Sequence, residues 1–222
     1  MASGTDAIVE VVIPWRDHPS RRRALGYVMD WWHRHGFPVN RVDVPGDPFN
    51  LAACRNLGVA QSQADVVVIA DADTVPQIRP LLEAVELAAD GHGTVLPYTR
   101  YLSLQAQGSR QAWRGTPLER CHHWEVPGAC SGIFVTTRQG WARHHGQDEQ
   151  FAGWGCEDAA WLITHGTLIG APRRVEGSVF AFTHDSQDKD GEPTRSNFGR
   201  IWLYEQAAGD PARVAALARG EA

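Results

Sequence analysis

Apolar and polar residues alternate in two rhythms along the N-terminal part of the chain. Short, β-branched-rich runs bounded by proline, glycine or acidic residues predict three strands: 7–15, 39–45 and 64–73. Stretches with apolar side chains every three or four positions predict three helices: from a Ser20 cap to about 35, 50–61, and about 78–90. Strands and helices that alternate in this way predict a right-handed, doubly wound, mainly parallel sheet.

The pattern is less regular after about residue 94. The runs "TVLPYTRYLSL", "GIFVTT" and "SVFAFTH" predict further strands. Helices are predicted over 157–165, with Gly166 as the stop, and over about 197–220. The chain contains no internal repeat and no long linker. We therefore expect residues 1–222 to form one α/β domain.

Two chemically distinctive stretches directly follow predicted strands. Pro14-Trp15-Arg16 follows the first strand, and Asp71-Ala72-Asp73 follows the third. Ligands of open α/β sheets bind beyond the carboxyl ends of the strands, so we expect these stretches to be neighbours. Two carboxylates at alternate positions form an oxygen site suited to Mn²⁺ or Mg²⁺ shared with phosphate oxygens. The alternative is a polar strand end that leads into a helix.

His184 stands at the end of the predicted strand "SVFAFTH" and opens a polar segment, 182–200, that contains glycine and proline. Most of the charges in this segment are those of an ordinary surface loop. A neutral imidazole at a strand end is also a good ligand for Mn²⁺, which makes His184 a candidate metal ligand.

The segment "FAGWGCEDAAW" places two adjacent carboxylates, Glu157 and Asp158, in the first turn of a predicted helix. The helix macrodipole stabilises acids there, which is the simpler explanation for both. An ionised carboxylate at this place is also suited to general-base catalysis. The macrodipole does not explain Gly153-Trp154-Gly155, a large ring between two glycines.

Composition narrows the function classes. The 222 residues are 43% hydrophobic and 21% charged, as in soluble globular proteins, and the net charge of −5 argues against nucleic-acid binding. The N-terminus lacks the basic region of a signal peptide, and no stretch approaches the roughly 20 apolar residues of a membrane span. The four cysteines show no C-x-x-C spacing. We expect a cytoplasmic protein with reduced thiols.

Taken in order, these motifs resemble the β-1,4-galactosyltransferase family, which are glycosyltransferases of the GT-A fold. The resemblance spans roughly residues 8–202 and is carried by "IPWRDH", "FNLAACRNLG", "VVIADADTVP", "SGIFVTT", "GWGCEDAAW" and "HDSQDKDGEP". It implies a nucleotide-binding half over about 8–90, an acceptor and catalytic half over about 94–202, and a helical tail over 203–222. The segment 182–200 would be a lid that closes over the donor and metal.

The resemblance also implies how the donor and the metal are bound. Asp73 and His184 would coordinate Mn²⁺ or Mg²⁺, and Asp71 would hold the nucleotide end of a UDP-sugar. Gly132 would lie near the donor sugar. Four residues would line the nucleotide pocket: Pro14, Trp15, Arg16 and Phe49.

On the acceptor side, the resemblance makes Asp158 the catalytic base and Glu157 an acceptor-binding carboxylate. Trp154 would lie across the donor phosphate and the acceptor. The implied activity is metal-dependent, inverting transfer of galactose or N-acetylgalactosamine from a UDP-sugar. The acceptor would be a hydroxyl group of a saccharide, glycolipid or protein. The chain would be a bacterial or phage-like stand-alone catalytic domain.

Several residues depart from the family pattern. Ala181 replaces a methionine ligand, which leaves fewer protein groups for the metal. Leu51 replaces a nucleotide-contacting arginine, although Arg55 lies one turn further along. Ala159 replaces an acid that binds an N-acetylglucosamine acceptor, and Ala129 falls near a tyrosine that limits space at C2 of the donor sugar. A second arginine of the first motif is also replaced, by His18.

Three alternatives remain open at this stage. A retaining enzyme similar to the polypeptide N-acetylgalactosaminyltransferases would share a related Trp-Gly motif. A nucleotidyltransferase would also use paired aspartates, but "WRDHPSRRR" lacks the glycines of its usual phosphate loop. A sugar-nucleotide or carbohydrate-binding module without turnover would be consistent with Ala181 and Ala159.

Overall fold

The computed structural model describes residues 7–185 and 191–221, and element bounds below refer to these ranges. The strands are β1 (Val9–Pro14), β2 (Val39–Val42), β3 (Val66–Ala70), β4 (Thr74–Pro76), β5 (Val95–Leu96), β6 (Arg100–Ser103), β7 (Trp124–Glu125), β8 (Ile133–Thr136), β9 (Arg173–Arg174) and β10 (Ser178–Ala181). The helices are α1 (Arg22–Arg34), α2 (Leu51–Gln61), α3 (Ile78–Ala89), α4 (Gln105–Ala112), α5 (Arg138–Ala142), α6 (Glu157–Leu168), α7 (Glu192–Ala207) and α8 (Pro211–Ala218).

A six-stranded sheet in the order β2-β1-β3-β8-β5-β9 forms the centre of the molecule. β1 pairs in parallel with β2 and β3, and β5 pairs in parallel with β9, whereas β8 runs antiparallel to both of its neighbours. Every residue of β3 is fully buried, as expected for a central strand covered on both faces. The predicted α/β, doubly wound, mainly parallel sheet is confirmed.

Helix α2 packs closely on β1 because it carries a glycine at the contact. A Cβ at Gly58 would overlap Cγ1 of Val12 in β1, so a larger residue would push the helix away. The N-terminus of α2 is capped by Asn50, whose Oδ1 accepts a hydrogen bond from Ala53 N at 2.8 Å. This close packing brings Arg55, one turn before Gly58, to the carboxyl edge of the sheet.

A second sheet, in the order β4-β10-β6-β7, lies beside the first. β4 begins at Thr74, directly after Asp71-Ala72-Asp73, and pairs antiparallel with β10. The pairing continues past the strand end, where Phe182 N donates to Asp73 O at 2.8 Å. The residues after β10 are thereby held against the aspartate-bearing turn.

The C-terminal helices α7 and α8 pack against α6 around a small apolar cluster. Its buried members are Phe151, Ala160, Tyr204, Ala207, Val214 and Leu217. The segment predicted to be helical, about 197–220, is helical over most of its length but is divided into α7 and α8, because Gly209 adopts φ +83° and Asp210 starts a new helix as its N-cap. The proposed tail boundary at 203 falls within α7.

Two other local predictions need correction. Helix α6 continues through Gly166 to Leu168, and the left-handed glycine that follows it is Gly170, at φ +116°. Ser20 does not cap α1: its Oγ bonds to Nδ1 of His18, and the N-cap position is Arg21, without a side-chain cap.

Across 7–185 and 191–221, no helix combines the length and the apolar composition needed to cross a membrane.

Candidate active site

Two adjoining cavities open at the carboxyl ends of β1 and β3. The outer cavity, of about 530 Å³, is lined by residues that include Trp15, Arg16 and Asp185. The inner cavity, of about 510 Å³, is lined by His184 and by four acidic residues: Asp71, Asp73, Glu157 and Asp158. Pro14, Phe49 and Trp154 are lining residues common to both. The sequence-predicted site residues therefore converge on this region, with Gly132 as the exception.

Asp73 and His184 form the candidate metal centre. Nε2 of His184 lies 2.9 Å from Oδ2 of Asp73, and both side chains are largely buried. The hydrogen bond with Asp73 raises the pKa of His184. One imidazole nitrogen and one carboxylate oxygen are a donor pair that fits Mn²⁺, with phosphate oxygens or water at the other positions.

The described residues contain no cluster of three or more histidine, cysteine or acidic side chains arranged to hold a metal. Ala181, at the end of β10, has no donor atom in its side chain and is only 6% exposed. Asp73 and His184 are therefore the candidate donors at this place, and their role as metal ligands stays a prediction.

A buried guanidinium links the two acidic motifs. Arg55 on α2 has no solvent exposure, and its Nη2 donates to Oδ1 of Asp71 at 2.7 Å. Its Nη1 donates to Oδ1 of Asp158 at 2.7 Å and to Oε1 of Gln147 at 2.9 Å. Oε1 of Glu157 lies 3.9 Å from the same Nη1. Arg55 thus contacts carboxylates from the end of β3 and from the start of α6.

The acids around Arg55 are in unequal environments. Burial raises the pKa of Asp71 to about 6, although the Arg55 guanidinium acts in the opposite direction. Burial, and next the Asp158 carboxylate, raise the pKa of Glu157 well above its ordinary value. Asp158 itself is held by the hydrogen bond from Arg55 and a longer one, 3.4 Å, from Nε2 of Gln147.

The turn before α6 explains the two glycines of "GWGCED". Gly153 and Gly155 adopt φ of +76° and +93°, a region that other residues rarely occupy, and Cys156 follows at +76°. Gly153 N donates to Phe49 O at 3.0 Å, and Asn197 of α7 donates to Trp154 O at 3.1 Å. The backbone is therefore anchored on both sides of the cavity while the Trp154 ring lies at its wall, 38% exposed.

Gly132 supports the aspartate turn from behind. Its carbonyl accepts hydrogen bonds from Asp71 N at 2.8 Å and from Thr74 Oγ1 at 3.0 Å. Its φ is +86°, and a Cβ there would lie 3.0 Å from Cε2 of Tyr101. Gly132 lines neither cavity, so its predicted place near the donor sugar stays a prediction.

Arg16 lies at the outer cavity with its guanidinium near the face of the Phe49 ring, 5.2 Å from the centroid. It also forms an ion pair with Asp43 at 2.7 Å, with 32% of its side chain exposed. The pair orients the guanidinium next to the predicted nucleotide pocket.

Sequence reasoning missed part of the cavity wall. Further lining residues of the inner cavity include Arg21, Tyr101, Val126, Cys130, Ser131 and Phe198. The buried role of Arg55 was also missed, although a charged residue inside the apolar helix segment "LAACRNLG" was a signal for it. The predicted lid, 182–200, includes residues 186–190, which lie outside the described residues.

Solved structures show the same architecture. A mutant of Drosophila β1,4-galactosyltransferase 7, in complex with manganese, UDP-Gal and xylobiose, matches 75% of this chain at TM-score 0.51 and 16% identity. GalNAc-T7 with UDP, GalNAc and Mn²⁺ matches 97% at TM-score 0.57 and 11% identity. Glucosyl-3-phosphoglycerate synthase from Mycobacterium tuberculosis, with Mn²⁺, UDP and phosphoglyceric acid, matches 92% at TM-score 0.54 and 14% identity.

The chain has the GT-A fold. It spans 64% of the galactosyltransferase structure, 55% of the GalNAc-T7 structure and 79% of the synthase structure. No protein-family model matches the chain, and no curated protein matches it at a significant level. At such low identities the likeness establishes the fold, and the ligands belong to the other proteins.

Proposed function

We propose that this chain is a metal-dependent, inverting glycosyltransferase. It would move a hexose or N-acetylhexosamine, galactose or N-acetylgalactosamine, from a UDP-sugar to a hydroxyl group of a saccharide, glycolipid or protein. The observation that carries the proposal is the presence of the Asp73–His184 pair and Asp158 in one cavity at the carboxyl edge of a GT-A sheet. UDP with Mn²⁺ in the solved structures of the same fold supports the choice of donor and metal.

The proposed reaction needs residues that hold a divalent cation and a residue that acts as a general base, and candidates for both line the inner cavity. A divalent cation, when held by Asp73 and His184, supplies Lewis-acid stabilisation to the departing diphosphate. The acceptor oxygen bonds to the anomeric carbon as the bond from that carbon to the phosphate oxygen breaks. The acceptor proton passes to Asp158, and UDP leaves as the anion. Both described hydrogen bonds to the Asp158 carboxylate end on Oδ1, which leaves Oδ2 for the proton.

The direct test is a panel of UDP-sugars incubated with Mn²⁺ and a mixture of saccharide acceptors, with UDP release and acceptor mass as readouts. Asp73→Ala should abolish the metal-dependent reaction. Asp158→Asn should lower transfer by about 100- to 10,000-fold, the usual contribution of a general base. Asp90→Asn, a surface change at the end of α3, is the matched control. UDP binding without turnover of any donor would contradict the proposal and favour a binding module.

A retaining transferase is the second candidate, because the GalNAc-T7 structure matches nearly the whole chain. The anomeric configuration of the product separates the two candidates. Inversion is expected here, with a strong dependence on Asp158. Retention with an active Asp158→Asn variant would favour the second candidate.

A further inference from the structure

The buried side chain of Arg55 contacts both functional sides of the cavity. We propose that Arg55 is a positioning residue, which holds the proposed base Asp158 and the donor-side carboxylate Asp71 in a fixed relation to each other. This inference rests on the proposed glycosyltransferase function. It assigns to Arg55 a task different from direct contact with the nucleotide, because the side chain has no solvent exposure.

Each terminal nitrogen of the guanidinium binds one of the two aspartates. Nη2 binds Oδ1 of Asp71 and Nη1 binds Oδ1 of Asp158, each at 2.7 Å. Arg55 therefore binds one oxygen of each carboxylate. The other oxygen of each carboxylate is available to a ligand in the inner cavity, which both residues line. A planar group with two donor nitrogens fixes the orientation as well as the distance of its two partners.

The guanidinium is itself held from several directions. Its carbon lies 5.1 Å from the centroid of the Phe134 ring on β8, and Gln147 accepts a hydrogen bond from Nη1. The loop that contains Gln147 is also bound to α2 directly, because Nδ2 of Asn56, the residue after Arg55, donates to Gln147 O at 2.7 Å. The Nε of Arg55 is buried and has no hydrogen-bond partner among the described residues. Arg55 thus donates hydrogen bonds to both aspartates, although one of its own N–H groups is left without an acceptor among the described residues.

Lysine at this position would keep the positive charge but would offer one nitrogen in place of the fork. A lysine nitrogen can bind Asp71 or Asp158 but not both. The distance and orientation between the two carboxylates are then no longer fixed, although the positive charge remains. A misplacement of about 1 Å in a catalytic group can cost about 100-fold in rate. We therefore expect Arg55→Lys to lower kcat by about 100-fold and to change KM for the donor much less.

The experiment compares Arg55→Lys, Asp158→Asn and the double variant in the transfer assay with saturating Mn²⁺ and acceptor. If Arg55 acts through the base, Arg55→Lys has little further effect on kcat once Asp158 is asparagine. Tyr204→Phe is the stability control, because it removes a buried hydrogen bond, from the Tyr204 hydroxyl to Oδ2 of Asp148 at 2.8 Å, outside the two cavities and the predicted lid. It should lower thermal stability and leave kcat within about twofold, well short of the tenfold that 1.4 kcal/mol represents.

Three results would overturn the positioning role: wild-type kcat in Arg55→Lys, an equal loss of kcat in Tyr204→Phe, or full additivity of Arg55→Lys with Asp158→Asn. Each of them presupposes an active wild-type enzyme, so each is distinct from failure of the proposed function. A wild-type protein that binds UDP and transfers no sugar would overturn the function and the positioning role together. If Arg55→Lys does not fold, Arg55→Gln replaces it in the same cycle.

Discussion

Acid should weaken this fold through a buried histidine behind the helix that carries Asp158. His144 has no solvent exposure, and its ring packs edge-on against Trp141 and, 5.9 Å away, Trp161 of α6. Its Nδ1 lies 3.2 Å from Gly146 O, which can only accept, and its Nε2 lies 3.1 Å from Thr94 Oγ1, a hydroxyl that can donate to a neutral imidazole. Burial, and next the neighbouring His165, lower the pKa of His144 to about 3.

The size of the effect follows from linkage. The folded state keeps His144 neutral, whereas the unfolded chain binds a proton below its ordinary pKa of about 6.5. The contribution is therefore complete above that pKa and is lost as the pH falls below it. Between pH 7 and pH 5 the loss amounts to about 2 kcal/mol, at 1.36 kcal/mol for each pH unit in which only the unfolded state is protonated.

Urea unfolding at pH 7 and pH 5 measures this loss as a difference between variants, so that the carboxylates, which both variants share, cancel. His144→Gln should lose about 2 kcal/mol less than the wild type over this range. His33→Gln is the control, because His33 is an exposed histidine on α1. This variant should lose as much stability between pH 7 and pH 5 as the wild type. A parallel loss of stability in wild type and His144→Gln would refute the reasoning. The result also fixes the pH range in which a rate profile of the enzyme reports catalysis and not unfolding.

Two further predictions concern the metal centre and the aspartate turn. Ala181→Met should tighten Mn²⁺ binding in the presence of UDP by about tenfold, or 1.4 kcal/mol, because it adds a third protein ligand. Calorimetry measures the change in Mn²⁺ affinity, and a gain in affinity that persists in the Asp73→Ala background would contradict the reasoning. Gly132→Ala should cost about 1–3 kcal/mol of stability in urea unfolding, because it forces a left-handed φ on alanine and crowds Tyr101. Gly91→Ala, also left-handed but with open space around it, is the control that separates the backbone cost from the crowding.

The sequence was sufficient where local pattern and tertiary structure agree. The run 66–70 is apolar throughout because it is covered on both faces, and Asp71 follows it because the chain leaves the core there. Motif order then grouped residues that are far apart in the chain, such as Asp73 and His184, which the structure places 2.9 Å apart. The placement of Asp71 needed only the direction of the strand and the chemistry at its end, whereas the grouping of Asp73 with His184 also needed the order of motifs that carries the family resemblance.

The sequence was insufficient where a contact depends on the rotation of an element about its axis. Helix α2 has weak amphipathic patterning. The sequence therefore marks Arg55 as an unusual charge in an apolar helix but does not give the direction in which its side chain points. That orientation follows from the contact of Gly58 with β1 and from the loop of Gln147, which lies 92 residues away in the chain. The antiparallel direction of β8 was likewise unpredictable, because its pairing with β3 is made across a long connection.

The structure also gives a physical reason to assign different tasks to the two adjacent acids of α6. Asp158 takes the direct hydrogen bond of Arg55, whereas Glu157 stays 3.9 Å from the guanidinium and is 9% exposed. Burial and the Asp158 charge favour the protonated form of Glu157, and a protonated carboxyl group can donate a hydrogen bond to an acceptor oxygen. The acid that is compensated by a cation is the better candidate for the base, and the acid whose protonated form is favoured is the better candidate for holding the acceptor. The macrodipole alone would treat the two residues alike, so it is the placement of one buried arginine that separates their proposed roles.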